Sequence, residues 1–190
     1  MGVWKLAWPS ILTNLFYATS SIVAIKVVGG LGPDAIAAAV TGQRVTFILQ
    51  AILTGVLAGS TALIARHWGA KDKLEAGIFF TRTVQLVIFL SIISAFLIWQ
   101  FAEPLVRFFG LKNQALIYSS DYLKAIAPFY IAFGCGMALI TALRAVGDVK
   151  TPLFIGVIMN LFAIFFMLVF VNGWLGFPEY GVIGAALGNG

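Results

Sequence analysis

The sequence predicts an all-α, polytopic transmembrane helix bundle with five complete helices and the start of a sixth. Three observations lead there. Of the 190 residues, 61% are hydrophobic and only 10% are charged, against about a quarter charged in a soluble domain, so lipid must be the solvent for much of the surface. The charges leave five long uncharged runs: Leu6–Ile25 (20 residues), Val45–Ala65 (21), Thr83–Ala102 (20), Ala125–Leu143 (19) and Thr151–Pro178 (28). About 20 apolar residues, rising 1.5 Å each, cross a hydrocarbon layer of roughly 30 Å. Finally, the runs are continuous and twice the length of a barrel strand of about 10 alternating residues. In lipid a helix satisfies its own backbone hydrogen bonds, which makes helices the expected form of these spans.

Taken in order, the expected helices cover about 7–28, 34–67, 74–101, 113–146 and 151–172, with a sixth starting about 180. The first run is too long for a signal-peptide core and reads as a retained helix. Pro9 is expected at its first helical position, where a missing N–H costs nothing, and Gly29, Gly30, Gly32 and Pro33 end it. Asp34 is the expected N-cap of helix 2. Along that helix Gly55 and Gly59, with Ala51 and Ala62 nearby, offer a small-residue face for close helix packing. Glu103-Pro104 ends helix 3, and Leu105–Gly110 forms a short amphipathic segment. Pro128 kinks helix 4. Arg144 suits the negative end of that helix and Gly147 its C′ position, while Thr151 caps helix 5 with Pro152 at the first position.

Lysine and arginine in the short loops orient the bundle. Lys5, Arg66, Lys71, Lys73, Arg144 and Lys150 lie on one side, and Lys26, Arg107 and Lys112 on the other, which places the N-terminus in the cytoplasm of a cell (plasma or inner) membrane. The net charge of +5 mostly reflects this bias and calls for no nucleic acid. His67 is the single histidine, so no metal site with two histidines can form within the chain, and no phosphate-binding loop or nucleophile–base pair occurs. The chain is not expected to be an enzyme or to carry a metal or cofactor. Cys135, in an apolar helix, is expected to be a buried, inert thiol. Trp4, Trp8, Trp68, Trp99 and Trp174 sit near helix ends as an aromatic belt.

Several stretches together resemble one family. Trp8-Pro9-Ser10-Ile11-Leu12-Thr13-Asn14-Leu15, Val28-Gly29-Gly30-Leu31-Gly32-Pro33-Asp34-Ala35, Ala65-Arg66-His67-Trp68-Gly69-Ala70-Lys71-Asp72, Glu103–Gly110, Asp121–Lys124, Leu143–Pro152 and Gly181–Ala186 follow the order and spacing of multidrug and toxic compound extrusion (MATE) transporters. The resemblance implies about twelve helices in two six-helix lobes around a cavity, with organic solutes expelled in exchange for protons or sodium. This chain then corresponds to most of the N-terminal lobe, its partners being the bilayer, a small organic solute and a C-terminal lobe. The chain departs from the family at the residues implied to couple ions. Ala24 stands where helix 1 often carries an aspartate, and Ile164 stands one turn after Asn160, where helix 5 often carries another. A coupling ion is expected from the resemblance, but the usual N-lobe carboxylates are absent.

The candidate pathway residues are Asn160, Lys26, Arg44 and Asp121. Asn160 is an uncharged amide deep in a span and needs partners: either an interhelical hydrogen bond or a solute or ion contact. Lys26, Arg44, Asp121 and Lys124 lie at the outer ends of their runs. Each either snorkels to the interface or lines an outer vestibule with three cations against one anion, and Asp121 and Lys124 can pair along one helix. Two alternatives to the exporter stand: a lipid-linked precursor flippase of related fold, or a non-transporting membrane subunit or degenerate fragment.

Overall fold

A computed structural model of the chain describes residues 3–176 and 178–189 and, among them, contains only helices and turns. The helices are α1 (Val3–Gly29), α2 (Pro33–Gly69), α3 (Lys73–Phe108), α4 (Asn113–Ile126), α5 (Phe129–Ala145), α6 (Lys150–Asn172) and α7 (Gly181–Asn189), with a 3₁₀ turn at Trp174–Gly176 before α7. By length and apolarity α2, α3 and α6 can each cross a bilayer. A fourth span results if the bent pair α4 and α5 is taken as one.

Proline and glycine set most of the boundaries, though not always as the sequence suggests. α1 begins at Val3, so Pro9 lies inside it and cannot donate an amide to the preceding turn. The cap of α2 is Gly32 at φ 106°, followed by Pro33 in the first helical position; Asp34 lies in the first turn and makes no capping bond. Glycine alone takes that backbone angle readily, and it leaves the proline where a missing N–H is harmless. The expected end of helix 3 before Glu103-Pro104 appears as a break in α3. The helix breaks at Phe101 (φ −114°, ψ 18°) and resumes to Phe108, so Pro104 falls in the first turn of the resumed piece, where no donor is lost. The expected short segment is the piece that resumes beyond this break, with Arg107 paired to Glu103 at 2.6 Å.

Pro128 does more than kink the fourth run. It separates α4 from α5, which meet at 56°. In the following turn Gly147 takes φ 88° and donates to the Arg144 carbonyl, as its expected role requires. Thr151 is not the cap of α6. Asp148 accepts from the Lys150 and Thr151 amides at 3.1 and 3.0 Å and from the Thr151 hydroxyl at 2.6 Å. A carboxylate two residues upstream reaches both free amides at once, whereas a threonine hydroxyl offers a single oxygen.

The side chains bury into two cores. The first joins Ala24 and Val28 of α1, Ala35 and Ala38 of α2, Tyr122 of α4, Met167 and Val171 of α6, and Ala185 of α7. The second joins Val45, Leu53 and Leu57 of α2, Val87 and Ile98 of α3, Leu123 of α4, and Tyr130 and Ala138 of α5. Gly55 and Gly59, expected to seat a neighbouring helix, face open space. The close packing occurs instead at Gly184 and Gly188 of α7. A Cβ at Gly184 would lie 2.6 Å from the Phe170 carbonyl, and one at Gly188 would lie 2.5 Å from the Met167 backbone.

Two outcomes follow from these contacts. Gly188→Val must push α7 off α6 and is expected to destabilise the lobe by at least about 1–3 kcal/mol, the usual range for overpacking, measured as thermal unfolding in detergent. The Asp148 carboxyl is held below its ordinary value of 3.8, first by the Thr151 hydroxyl and then by the Thr151 amide. Because the folded-state value is lowered, the cap is complete above the ordinary carboxylate value and is lost as pH falls through the lower one. Hydrogen-exchange protection of the Thr151 amide should therefore hold from neutral pH down to about pH 4 and decline below it, and Asp148→Ala should remove it at neutral pH.

Candidate functional site

The site forms where α1 crosses α6. An asparagine in the middle of an apolar helix is costly unless its amide is bonded. Asn160 is buried, 7% exposed, and its Oδ1 accepts a hydrogen bond from the Ser20 hydroxyl of α1. One helical turn beyond Ser20, Ala24 is 5% exposed and faces the first core. One turn beyond Asn160, Ile164 is half-buried. The two positions implied for ion-coupling carboxylates thus lie one turn beyond the two members of the Ser20–Asn160 pair and carry alkyl side chains instead. Neither can hold a proton or a cation, so the pair works as a neutral hydroxyl–amide contact.

Ala24 also walls a cleft shared by α1, α2, α4 and α7, with Val28, Ala39, Gln43, Tyr122 and Ala185. Its lining side chains are neutral, and its free space is about 10 Å³, room for roughly one water.

The other sequence candidates do not join this pair. Lys26 and Arg44 are exposed, and Asp121 is half-buried. Asp121 and Lys124 do not pair: among the described residues the ion pair is Arg107–Glu103, and the Lys124 side chain is exposed while Asp121 is partly covered. Cys135 is half-buried rather than enclosed. His67 stacks on Phe79 with ring centroids 4.9 Å apart, and the Lys73 ammonium sits 5.8 Å over the neighbouring Trp68 ring. Among the described residues no cluster of histidine, cysteine, aspartate or glutamate could hold a metal. Trp8, Trp68, Trp99 and Trp174 are exposed, as a belt requires; the Trp4 side chain lies outside the described residues.

Sequence reasoning missed Ser20, because a serine in a helix gives no signal of its own; its meaning comes from α6 crossing at that height. Gln43 and Tyr122 likewise gave no signal, because only the packing of α1 and α7 against α2 and α4 brings them to one cleft.

This architecture, a bundle of long apolar helices with a neutral polar pair at its centre, defines a polytopic membrane protein. The MatE family model matches residues 9–169, and the chain belongs to that family. Among its relatives, the probable multidrug resistance protein YoeA of Bacillus subtilis is 29% identical over 186 residues, covering 94% of this chain and 39% of YoeA. The probable multidrug resistance protein NorM of Mesorhizobium japonicum is 30% identical over 189 residues, covering 96% of this chain and 39% of NorM. The chain thus spans about two-fifths of the length of these relatives. The fold matches an outward-facing MATE multidrug resistance transporter of the MOP superfamily with a TM-score of 0.89 and 23% identity, over 97% of this chain and 40% of that one. A MOP superfamily transporter from Pyrococcus furiosus, described as having a binding pocket of reversed polarity, matches with the same score, identity and coverage.

The hydroxyl–amide pair can be measured directly. Ser20→Ala and Asn160→Ala should each lower stability by about 1 kcal/mol, the typical worth of an interhelical hydrogen bond in a membrane. The double variant should lose little more than the larger single one, because the two residues share one bond; unfolding of all three in detergent reads this coupling.

Proposed function

We propose that this chain is one lobe of a secondary active exporter of organic solutes, resident in the plasma or inner membrane with its N-terminus in the cytoplasm. It works by alternating exposure of a cavity shared with a second lobe, in antiport with a proton or sodium ion. Its membership of the MATE family and its relatives among multidrug resistance proteins support the transport reading.

The observation that carries the finer reading is the part-buried Ser20–Asn160 pair, with Ala24 and Ile164 one turn further along their helices. A lobe with no carboxylate at its polar centre cannot release a proton there in exchange for solute, so the coupling charge lies outside this site. The same absence removes the counter-ion that a cationic drug would need when it leaves water. Lys26, Arg44 and Lys124, exposed and opposed by Asp121 alone among the four, add a positive bias along the outer side. The lobe therefore favours neutral, zwitterionic or anionic solutes over cations. Asn160 is a hydrogen-bonding contact for the solute, reached when the Ser20 bond opens.

Efflux from cells producing the full-length carrier tests this reading. A zwitterionic fluoroquinolone should be exported well and ethidium poorly, and Lys26→Ala should raise ethidium export several-fold. Robust ethidium export, unchanged by Lys26→Ala, would refute the charge preference. Asn160→Leu should abolish export while leaving the protein at its normal level in the membrane.

A further inference from the structure

α2 and α3 lie side by side and bury one line of side chains each into the second core, Leu53 and Leu57 from α2 and Val87 and Ile98 from α3. That face of α2 is fully occupied. The Tyr122 ring covers Gly42, where a Cβ would lie 2.5 Å from Cδ1, and the Thr46 carbonyl accepts from the Tyr130 hydroxyl at 3.0 Å. The opposite face is bare. Gly55, Gly59 and Ala62 follow one another at helical spacing and are exposed, and a Cβ at either glycine would meet nothing within 4 Å. The outward line of α3 carries bulk instead, with Phe89 60% and Ile93 39% exposed. A bare floor beside a bulky wall makes a furrow.

Two arginines stand at one end of it. Arg66 follows Ala62 by one turn on α2, and Arg82 precedes Phe89 by two turns on α3. The His67–Phe79 stack, with centroids 4.9 Å apart, brings these turns level. Arg66 is one residue from His67 and Arg82 three from Phe79, both toward the membrane, so their heights differ by about 3 Å. At about 100° per residue, Arg66 stands about 160° around α2 from the buried Ile64, and Arg82 about 100–140° around α3 from the buried Ala76, Thr83 and Val87. Both therefore turn away from the core on the same side. Both are exposed, and among the described residues neither has an ion-pair partner. Asp72 and Glu75 belong to the turn below, where the Asp72 carboxylate accepts the Glu75 amide at 3.1 Å. Trp68, exposed beside His67, marks this level as the membrane interface.

Packed helix axes lie about 8–10 Å apart, so two long arginine side chains reach one point between them. With no acid there, the guanidinium groups repel each other, and more strongly at the rim of hydrocarbon than in water. One phosphate removes that repulsion, because its oxygens match the planar donor forks of both. The furrow has the length of the rest of such a molecule. Arg66 to Gly55 is eleven residues, about 16 Å, and one leaflet holds about 15 Å of hydrocarbon. A free phosphate would use the arginines and leave the furrow empty, and an apolar helix would fill the furrow and leave the arginines unpaired. A lipid with a negative head answers both.

We propose that α2 and α3 bind one anionic phospholipid from the leaflet on the Arg66 side, its phosphate bridged by Arg66 and Arg82 and one acyl chain lying along Gly59 and Gly55. A zwitterionic lipid is disfavoured, since its own ammonium group adds a cation beside two others. The site lies apart from the Ser20–Asn160 crossing and does not depend on the transport reading.

Native mass spectrometry of the full-length carrier tests this, with the protein stripped of lipid in detergent and titrated with phosphatidylglycerol or phosphatidylcholine of equal chain length. One phosphatidylglycerol should bind more tightly than any phosphatidylcholine. Arg66→Ala and Arg82→Ala should each weaken it about fivefold, the factor that about 1 kcal/mol per basic residue at an anionic lipid surface gives. The double variant should bind both lipids alike. Gly59→Leu, which fills the furrow and keeps both arginines, should also weaken it. Arg144→Ala, an exposed arginine outside the site, should leave it unchanged, and millimolar inorganic phosphate should not displace it. These side chains are exposed and the glycine faces open space, so the variants keep the fold. Equal affinity for the two lipids, or a double variant that binds like the parent, would overturn the site. So would an equal loss with Arg144→Ala, which means a diffuse basic surface, or displacement by phosphate, which means a plain anion site. Binding indifferent to Gly59→Leu would give the furrow to another occupant, such as a helix of the second lobe, and would overturn it too.

Discussion

Close approach of helix backbones holds this lobe together. Inside a bilayer no hydrophobic force draws one apolar helix to another, because lipid tails are as apolar as leucine; attraction comes from dispersion at short range and from rare polar bonds. Both depend on distance, and distance is set by the residues with least bulk. Gly184 and Gly188 bring α7 against the backbone of α6, Gly134 brings α5 against Ser91 of α3, and Gly42 admits a tyrosine ring. The large side chains fill in around contacts that the small ones have fixed.

Against that apolar background a single polar contact has unusual reach. The Ser20–Asn160 bond fixes where α1 crosses α6, and so fixes which side of α1 faces the bundle. Ala24 and Val28 follow Ser20 by one and two turns and are buried as a result. Lys26, between them in sequence, is turned outward by the same geometry. Its charge never has to enter the core, so a lysine near the end of an apolar helix is tolerated.

Much of this could be read from residues alone, for definite physical reasons. Long uncharged runs mark helices because lipid allows few other backbones, and Gly147 and Pro128 mark breaks because no other residue behaves as they do. Boundaries were read less well where two punctuating residues compete: Gly32 took the cap from Asp34, and Asp148 took it from Thr151. A GxxxG pattern says only that a helix can be approached closely. Gly55 and Gly59 satisfy the pattern as well as Gly184 and Gly188 do, and only the path of the chain decides which pair is used. Of the candidate site, Asn160 was legible because an amide in a greasy run is conspicuous. Ser20, Gln43 and Tyr122 were not, since each is unremarkable until a distant helix is laid against it.

The bond from Tyr130 to Thr46 is lopsided in an instructive way. Its donor is a side chain, but its acceptor is a main-chain carbonyl, which every residue type possesses. Position 46 can therefore drift in sequence and still receive the bond, while position 130 keeps it only with a phenol of the same reach. Homologues compared at these two positions would carry unequal freedom, although the two residues share one contact. A search for co-varying pairs would pass over this tie, because only one of its two ends is written in the side chains.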